Sequence, residues 1–316
     1  MSKSIQEYLP DFVEYCEVEK GLSATTGKNY ARFLQQFFRW LKNNKLEKIR
    51  PKELTEYHIL KYHTWLSHLP NKTKKTSAGL HMSTQTRYLI ALRALLDYFY
   101  EKDISCVSSK KIKLPKVKGN REIKFLNIEQ VRALLTAPDT KTIAGLRDRA
   151  ILETLFSTGL RVAELSALER KHLVGSEDKT DFEVSIIARN KHPRTLYFST
   201  RTLYYIHEYL SLRDDHDQAL FVRFKGPTNN SLRLGVRGIE AIVSRYTKLS
   251  GIPILATPNT LRHSFATDLL NNNVVYAGMT QKFLKHQNIG TTQVYTHVTS
   301  KQLRDIHKKF QAGNKL

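Results

Sequence analysis

Wherever the apolar residues of this 316-residue chain show a period, the period is helical, with one exception. Phe182, Val184 and Ile186 alternate with Glu183 and Ser185, and Leu196-Tyr197-Phe198 follows after Asn190-Lys191-His192-Pro193. Alternation puts every second side chain on one face, so these runs predict a small β-hairpin. Four helical stripes precede it. The first runs from Ser4 to about Glu19 (Ile5, Tyr8, Leu9, Phe12, Val13, Cys16) and stops at Gly21. Ser23 is placed to cap the second, which carries Tyr30, Phe33, Leu34, Phe37, Phe38 and Leu41. A third lies around Leu54–Leu69. After the polar, lysine-bearing loop from Pro70 to Gly79, Ser83 opens a fourth with Leu89, Leu92, Leu95, Leu96 and Phe99. The aromatic stripes read as core. Beyond Glu122, Asn127 with Glu129-Gln130 marks a helix start ahead of Val131, Leu134 and Leu135. Gly145–Thr158 forms another helix, with Gly159 as a left-handed cap. The expected chain is mainly α with a small β-sheet or hairpin. Its parts are a helical domain at 1–104, a basic linker at 105–121, a larger mixed domain at 122–298 and a tail at 299–316.

Charge narrows the partner. Lys and Arg number 51 against 29 Asp and Glu, a net charge of +22. Residues 1–120 hold 22 basic and 11 acidic residues and the remainder 29 and 18, so each part carries +11. Positive charge spread over both halves suits a polyanion held between two basic lobes better than an anionic membrane surface. Lys28, Arg32, Lys72, Lys74, Lys75, Arg87 and Arg93 are the candidate DNA contacts of the first domain, neutralising phosphates without specifying sequence. The linker lysines 110, 111, 113, 116 and 118, with Arg121, form either a solvated run or a track along a phosphate backbone. No apolar run approaches the ~20 residues of a membrane span, and no signal-peptide pattern starts the chain. Cys16 and Cys106 are too few for a disulfide framework, which points to a reducing cytoplasm. The 12 histidines include no HExxH and no paired Cys/His set, and His58, His63 and His68 recur at a spacing that does not stack them on one helix face. No metal or other cofactor is expected.

Two stretches carry chemistry. Residues 261–270 read LRHSFATDLL and 283–298 read FLKHQNIGTTQVYTHV, which sets Arg262, His286 and Tyr295 at separations of 24 and 9 residues. Thr257-Pro258 is a cap and first helical position for a helix carrying Leu261, Phe265, Leu269 and Leu270. Gly290-Thr291-Thr292 breaks the chain before Tyr295 and puts it on a short separate helix. An arginine fork grips two phosphate oxygens, a histidine adds a donor, and a tyrosine hydroxyl can attack phosphorus. Residues 157–165 read STGLRVAEL and set Arg161 at a joint between two helices. The plain alternative is a surface Arg161 paired with Glu164.

These two boxes resemble those of the tyrosine recombinases, the phage-integrase and Xer family, and the resemblance covers almost the whole chain. It implies a helical core-binding, SAM-like domain and a mixed α/β catalytic domain forming a clamp around DNA. The implied activity is site-specific recombination without a cofactor, through a 3′-phosphotyrosine and a Holliday junction. Tyr295 would be the nucleophile, and Arg161, Arg262 and His286 would hold the phosphate. The implied assembly is a homo-tetramer, or one with a related recombinase, on a double-stranded recombination site. The chain departs from the family in three places. Ala188-Arg189-Asn190 stands where Gly-Lys-Gly is usual, so the acid for the leaving 5′-oxygen is either Lys191, two residues on, or Arg189 acting as a charge alone. Lys191 is favoured because arginine practically never gives up its proton. Asn259 replaces the histidine three residues before Arg262; losing a general acid–base group typically costs about 10²–10⁴-fold, toward the low end where a hydrogen bond is kept. Lys285 precedes His286, where glycine is common. On this resemblance the chain is expected to open directly on the core-binding domain, without the arm-binding domain of lambda-type integrases. This favours an Xer-type role in replicon dimer resolution over a mobile-element or phage integrase. A type IB topoisomerase-like nicking-closing enzyme and a catalytically impaired DNA-binding remnant are the readings from other classes. In the tail, Leu303, Ile306 and Phe310 fall at i, i+3 and i+7, an amphipathic helix that docks either on its own domain or, as the resemblance implies, on a neighbouring protomer.

Overall fold

The computed structural model describes residues 3–70, 79–115, 124–177, 179, 181–187, 193–226 and 231–271. The chain divides into two units, Met1–Arg121 and Glu122–Leu316. The first holds helices α1 (Leu9–Val18), α2 (Ala24–Asn43), α3 (Glu56–His68) and α4 (Met82–Glu101). The stripe expected from Ser4 to Glu19 splits into a 3₁₀ turn, Ile5–Tyr8, and α1, because Pro10 sits in the first turn of the α-helix and brings no N–H to extend the ladder backward. Gly21 adopts φ +61°, the left-handed conformation that lets the chain leave α1. Ser23 caps α2 as expected, accepting from Thr26 N at 3.3 Å. Helix α4 begins one residue before the expected Ser83. Its cap is His81, whose Nδ1 accepts from Ser83 N at 3.2 Å, so an imidazole takes the part usually played by a small oxygen side chain.

The aromatic stripes are core. Phe12, Phe37, Tyr62 and Phe99 are wholly buried, and the Phe37 ring meets Tyr62 edge-on at 5.0 Å and stacks on Trp40 at 5.9 Å. The stretch read as a linker is packed for much of its described length. Ile112 is buried in this core, with Cys106, Val107 and Leu114 against it, and Lys111 Nζ pairs with Glu56 at 3.1 Å. Apolar side chains interleaved among the lysines hold residues 105–115 to the first unit.

The second unit contains α5 (Ile128–Thr136), α6 (Ile143–Thr158), α7 (Val162–Ser166), β1 (Asp181–Ile187), β2 (Pro193–Ser199), α8 (Thr200–Ser211), α9 (Val236–Leu249) and α10 (Pro258–Asn271). β1 and β2 pair antiparallel from Asp181↔Ser199 to Ile187↔Pro193, the predicted hairpin. Asn127 and Gln130 form the expected capping box of α5, with Gln130 N to Asn127 Oδ1 at 2.8 Å. α6 starts two residues before Gly145, capped by Thr142, and is the axle of the unit: every residue from Gly145 to Thr158 is buried. α5, α7, α8, α9, α10 and β2 all pack on it. A helix buried on all sides must pair its charges, and α6 does. Arg147 meets Asp148 at 2.6 Å and Val222 O at 2.9 Å. Arg149 and Arg201 share Glu153 at 2.7 and 2.9 Å. Tyr246 of α9 donates to Asp148 at 3.1 Å, and burial, then the Asp148 charge, pushes its phenol up to about 12. Among the described residues no helix is long and apolar enough to cross a membrane.

Among the described residues, one polar atom in the first core lacks a partner. The Tyr62 hydroxyl is buried and makes no hydrogen bond, and burial raises its pKa, which keeps it neutral. An unpaired buried hydroxyl is a desolvation cost without return. Tyr62→Phe is therefore expected to leave stability unchanged or raise it by about 1 kcal/mol in urea unfolding. A loss of that size would mean the hydroxyl is paired after all.

Candidate active site

The two boxes meet at the end of α6. Gly159 terminates the helix at φ 57° with its N–H on Leu155 O at 3.1 Å, and Leu160 then drops its side chain fully into the core. The next residue, Arg161, is the extended N-cap of α7. A left-handed turn, a buried anchor and a new helix thus fix the Arg161 backbone on both sides. Its side chain is held by Glu164. The Glu164 carboxylate accepts from Arg161 N at 2.9 Å and from Nη1 at 3.2 Å. The plain alternative of an Arg161–Glu164 pair is therefore present. It is no ordinary surface pair, though, because the glutamate side chain is 7% exposed and the arginine 43%. A buried carboxylate braces a guanidinium whose other end reaches solvent. The far end of α7 is secured by Arg233, which donates to Ser166 O at 2.8 Å and Leu168 O at 3.1 Å. It thereby satisfies carbonyls that the helix end leaves open.

Arg262 arrives from α10. Thr257 Oγ1 accepts from Thr260 N at 3.2 Å, Pro258 takes the first helical position, and Leu261 and Phe265 are buried in the core. Ser264 fixes the helix further, receiving Leu126 N at 2.8 Å. Arg262 lies between these anchors, 3% exposed, and its Nη1 donates to the carbonyl of Gly159. An arginine 103 positions away in sequence is thereby seated two residues from Arg161. Two guanidiniums are thus attached to one helix joint, one buried and one half-exposed. Asn259 is exposed at the start of α10, one turn before Arg262. Next to Arg262, His263 is half-buried; burial, then the Arg262 charge, holds its imidazole below the usual range.

Arg189, Lys191, His286 and Tyr295 lie outside the described residues, as do Lys72, Lys74, Lys75 and the tail. In the first unit Lys28, Arg32 and Arg87 are exposed and Arg93 is half-buried. Lys28 and Arg32 belong to a longer exposed row on α2, with Gln35, Arg39 and Lys42, at helical spacing opposite the aromatic face. Arg39 and Lys42 were missed as candidates, although the same spacing marks them. Glu164 was also missed as a working part of the site. No cluster of three or more metal-ligating side chains occurs among the described residues.

Comparison with known proteins follows the same division. Residues 124–302 match the phage integrase family, and residues 8–106 match the N-terminal SAM-like domain of phage integrases. The chain is 32% identical to tyrosine recombinase XerD of Listeria innocua, over 97% of this chain and 99% of that protein. It is 30% identical to tyrosine recombinase XerC of Pelotomaculum thermopropionicum, over 96% and 97%. In fold it resembles the XerH site-specific recombinase bound to palindromic difH substrate, with a TM-score of 0.65 at 20% identity over 95% of this chain and 83% of that one. It also resembles a lambda integrase dimer bound to a COC′ core site, with a TM-score of 0.64 at 14% identity over 98% and 79%.

The geometry at Gly159 makes a stability prediction. A β-carbon in the left-handed region costs about 1–2 kcal/mol. Gly159→Ala is expected to lower the unfolding free energy by that amount. Unchanged stability would contradict the left-handed conformation on which the seating of both arginines rests.

Proposed function

The chain belongs to the phage integrase family of tyrosine recombinases and is an Xer-like site-specific recombinase; from that premise we propose which of its residues carry the reaction and how. The substrate is double-stranded DNA bearing a recombination site. Tyr295 attacks the scissile phosphate, the bond from phosphorus to the 5′-oxygen breaks, and a 3′-phosphotyrosine forms. The leaving oxygen takes its proton from Lys191, or leaves under the charge of Arg189 alone. The phosphotyrosine keeps the energy of the broken bond, so the 5′-hydroxyl of a second strand can reverse the step and complete the exchange. Two rounds pass through a Holliday junction within a tetramer of this chain, or of this chain and a related recombinase.

What supports this reading is the hydrogen bond from Arg262 to the carbonyl of Gly159, two residues before Arg161 in the chain. Negative charge grows on the phosphate as the tyrosine attacks, and preorganised donors aimed at that charge typically contribute factors of 10²–10³ each. Glu164 acts as a positioning residue: it braces Arg161 without touching the DNA. Asn259, one turn from Arg262, keeps a hydrogen-bond donor where the family has a histidine but cannot relay a proton. Cleavage is accordingly slower than in a chain with the histidine, not abolished. Positive charge on both units, including the α2 row Lys28, Arg32, Arg39 and Lys42, supplies sequence-independent grip on the duplex. Relatives named XerC and XerD that match over nearly the full length favour an Xer-type role, the separation of joined replicons, over that of a mobile-element integrase. The chain works where its DNA is, in the cytoplasm.

The test is a nicked suicide duplex bearing the chain's own site, on which cleavage traps the covalent adduct. The wild-type chain is expected to give an adduct stable in SDS, and Tyr295→Phe to bind the duplex equally well and give none. An undiminished adduct from Tyr295→Phe would overturn the assignment of the nucleophile. Absence of adduct from both, on a genuine site, would make the chain a DNA-binding remnant.

A further inference from the structure

The end of α6 farthest from Gly159 opens on a cavity of about 670 Å³, large enough for a small ligand or the anchor of a peptide. α6 is 16 residues long, so at 1.5 Å per residue its two ends lie about 24 Å apart. The cavity is therefore separate from the joint that bears Arg161 and Arg262. Its walls are the turn that caps α6, the segment Arg223–Lys225, and the face of α9 bearing Arg245 and Leu249.

Its chemistry is mixed in a particular way. Phe224 and Leu249 are large apolar side chains left 44% and 64% exposed. One face of the Phe224 ring is covered by the Arg147 guanidinium at 4.7 Å. Arg147 is itself neutralised by Asp148 at 2.6 Å, so the cations facing an incoming group are Arg223, Lys225 and Arg245. Arg223 gives one N–H to Ser231 O at 3.2 Å. Lys225 and Arg245 form no ion pair among the described residues. The other acid of the lining, Asp139, already accepts from Lys141 N at 3.1 Å. Two exposed apolar anchors among three cations match a ligand that is apolar and anionic at once. A free phosphate or a duplex backbone would meet the cations and leave Phe224 and Leu249 without a counterpart.

We propose that this cavity is a docking site for an acidic peptide segment of a partner protein, which sets an aromatic or branched aliphatic side chain against Phe224 and Leu249 and carboxylates on Arg223, Lys225 and Arg245. Charge argues against the chain's own C-terminal segment as the occupant. Residues 299–316 carry Lys301, Arg304, Lys308, Lys309 and Lys315 against the single acid Asp305, the wrong sign for this rim. An acidic segment gains from each rim cation, and its apolar side chain removes from water surface that the free protein leaves exposed.

The probe is the fluorescein-labelled nonapeptide Glu-Asp-Glu-Leu-Phe-Glu-Asp-Glu-Leu, titrated with the full chain by fluorescence polarisation. Saturable binding is expected, weakened at least tenfold by Arg245→Glu, by Phe224→Ser, and by replacing the peptide's Leu and Phe with Ser. Both protein substitutions are at exposed positions, and unchanged binding to a DNA half-site together with unchanged adduct formation verifies that each variant is folded. No binding, or binding indifferent to Phe224→Ser, would overturn the proposal. So would displacement of the probe, with the same sensitivity to Phe224→Ser, by a peptide of residues 299–316 or by a random duplex, since the site would then belong to the chain's own tail or to DNA.

Discussion

The seating of Arg262 depends on one hydrogen bond, from its buried guanidinium to the carbonyl of Gly159. A charge that is 3% exposed is tolerated only where its N–H groups are met, and a hydrogen bond from a charged donor contributes roughly 1.5–3 kcal/mol. The acceptor is available because Gly159 ends α6 in the left-handed conformation, which turns the chain at that point. The same turn aims Arg161 outward as the N-cap of α7. One glycine conformation therefore sets the position of both arginines, and Glu164 fixes the orientation of the second. The placement of these side chains is set by backbone geometry first and side-chain contacts afterwards.

α6 holds that geometry still. It is encircled by packing elements, and its four charged residues are tied in pairs that reach α5, α8, α9 and the segment at Val222. Buried pairs of this kind add little net stability over apolar residues of the same shape, because desolvation offsets most of their attraction. They do make any shifted register of α6 expensive, since each alternative strands a charge. The helix that presents Gly159 is thus locked in place by its charges and stabilised by Leu152, Leu155 and Phe156, all in the core.

Much of this was legible in the sequence, and what was not has physical causes. The caps at Ser23 and Asn127, the left-handed Gly159 and the β1–β2 hairpin each follow from a local rule and stand in the structure. His81 escaped as a cap because an imidazole nitrogen is an uncommon acceptor there. α8 went unassigned because Ser199 both ends β2 and caps the helix, so no loop marks the change. α9 carries Ile239, Ile242, Val243 and Tyr246 on a plain stripe, but Gly235 offers no side-chain cap to announce it. In the site, the spacing of the boxes singled out Arg161 and Arg262. The contact that ties Arg262 to Gly159, beside Arg161, spans 103 residues, and no periodicity reveals a contact of that range. Glu164 was read as a rival explanation of Arg161, because burial, which makes it a brace rather than a surface partner, is a tertiary property. Residues 105–115 read as part of a basic run, solvated or tracking a phosphate backbone, because Lys110, Lys111 and Lys113 interrupt the four apolar side chains that in fact anchor them.

The central claim is that Arg161 and Arg262 form one device acting on one phosphate. A double-variant cycle on covalent adduct formation tests it directly, with Arg161→Ala and Arg262→Ala made singly and together, and with half-site binding used to verify folding. Groups that act as a unit give non-additive losses. The account predicts that each single change slows adduct formation by about 10²-fold or more, and that the double change is little worse than the worse single one. Losses that multiply would show two independent arginines and contradict the account.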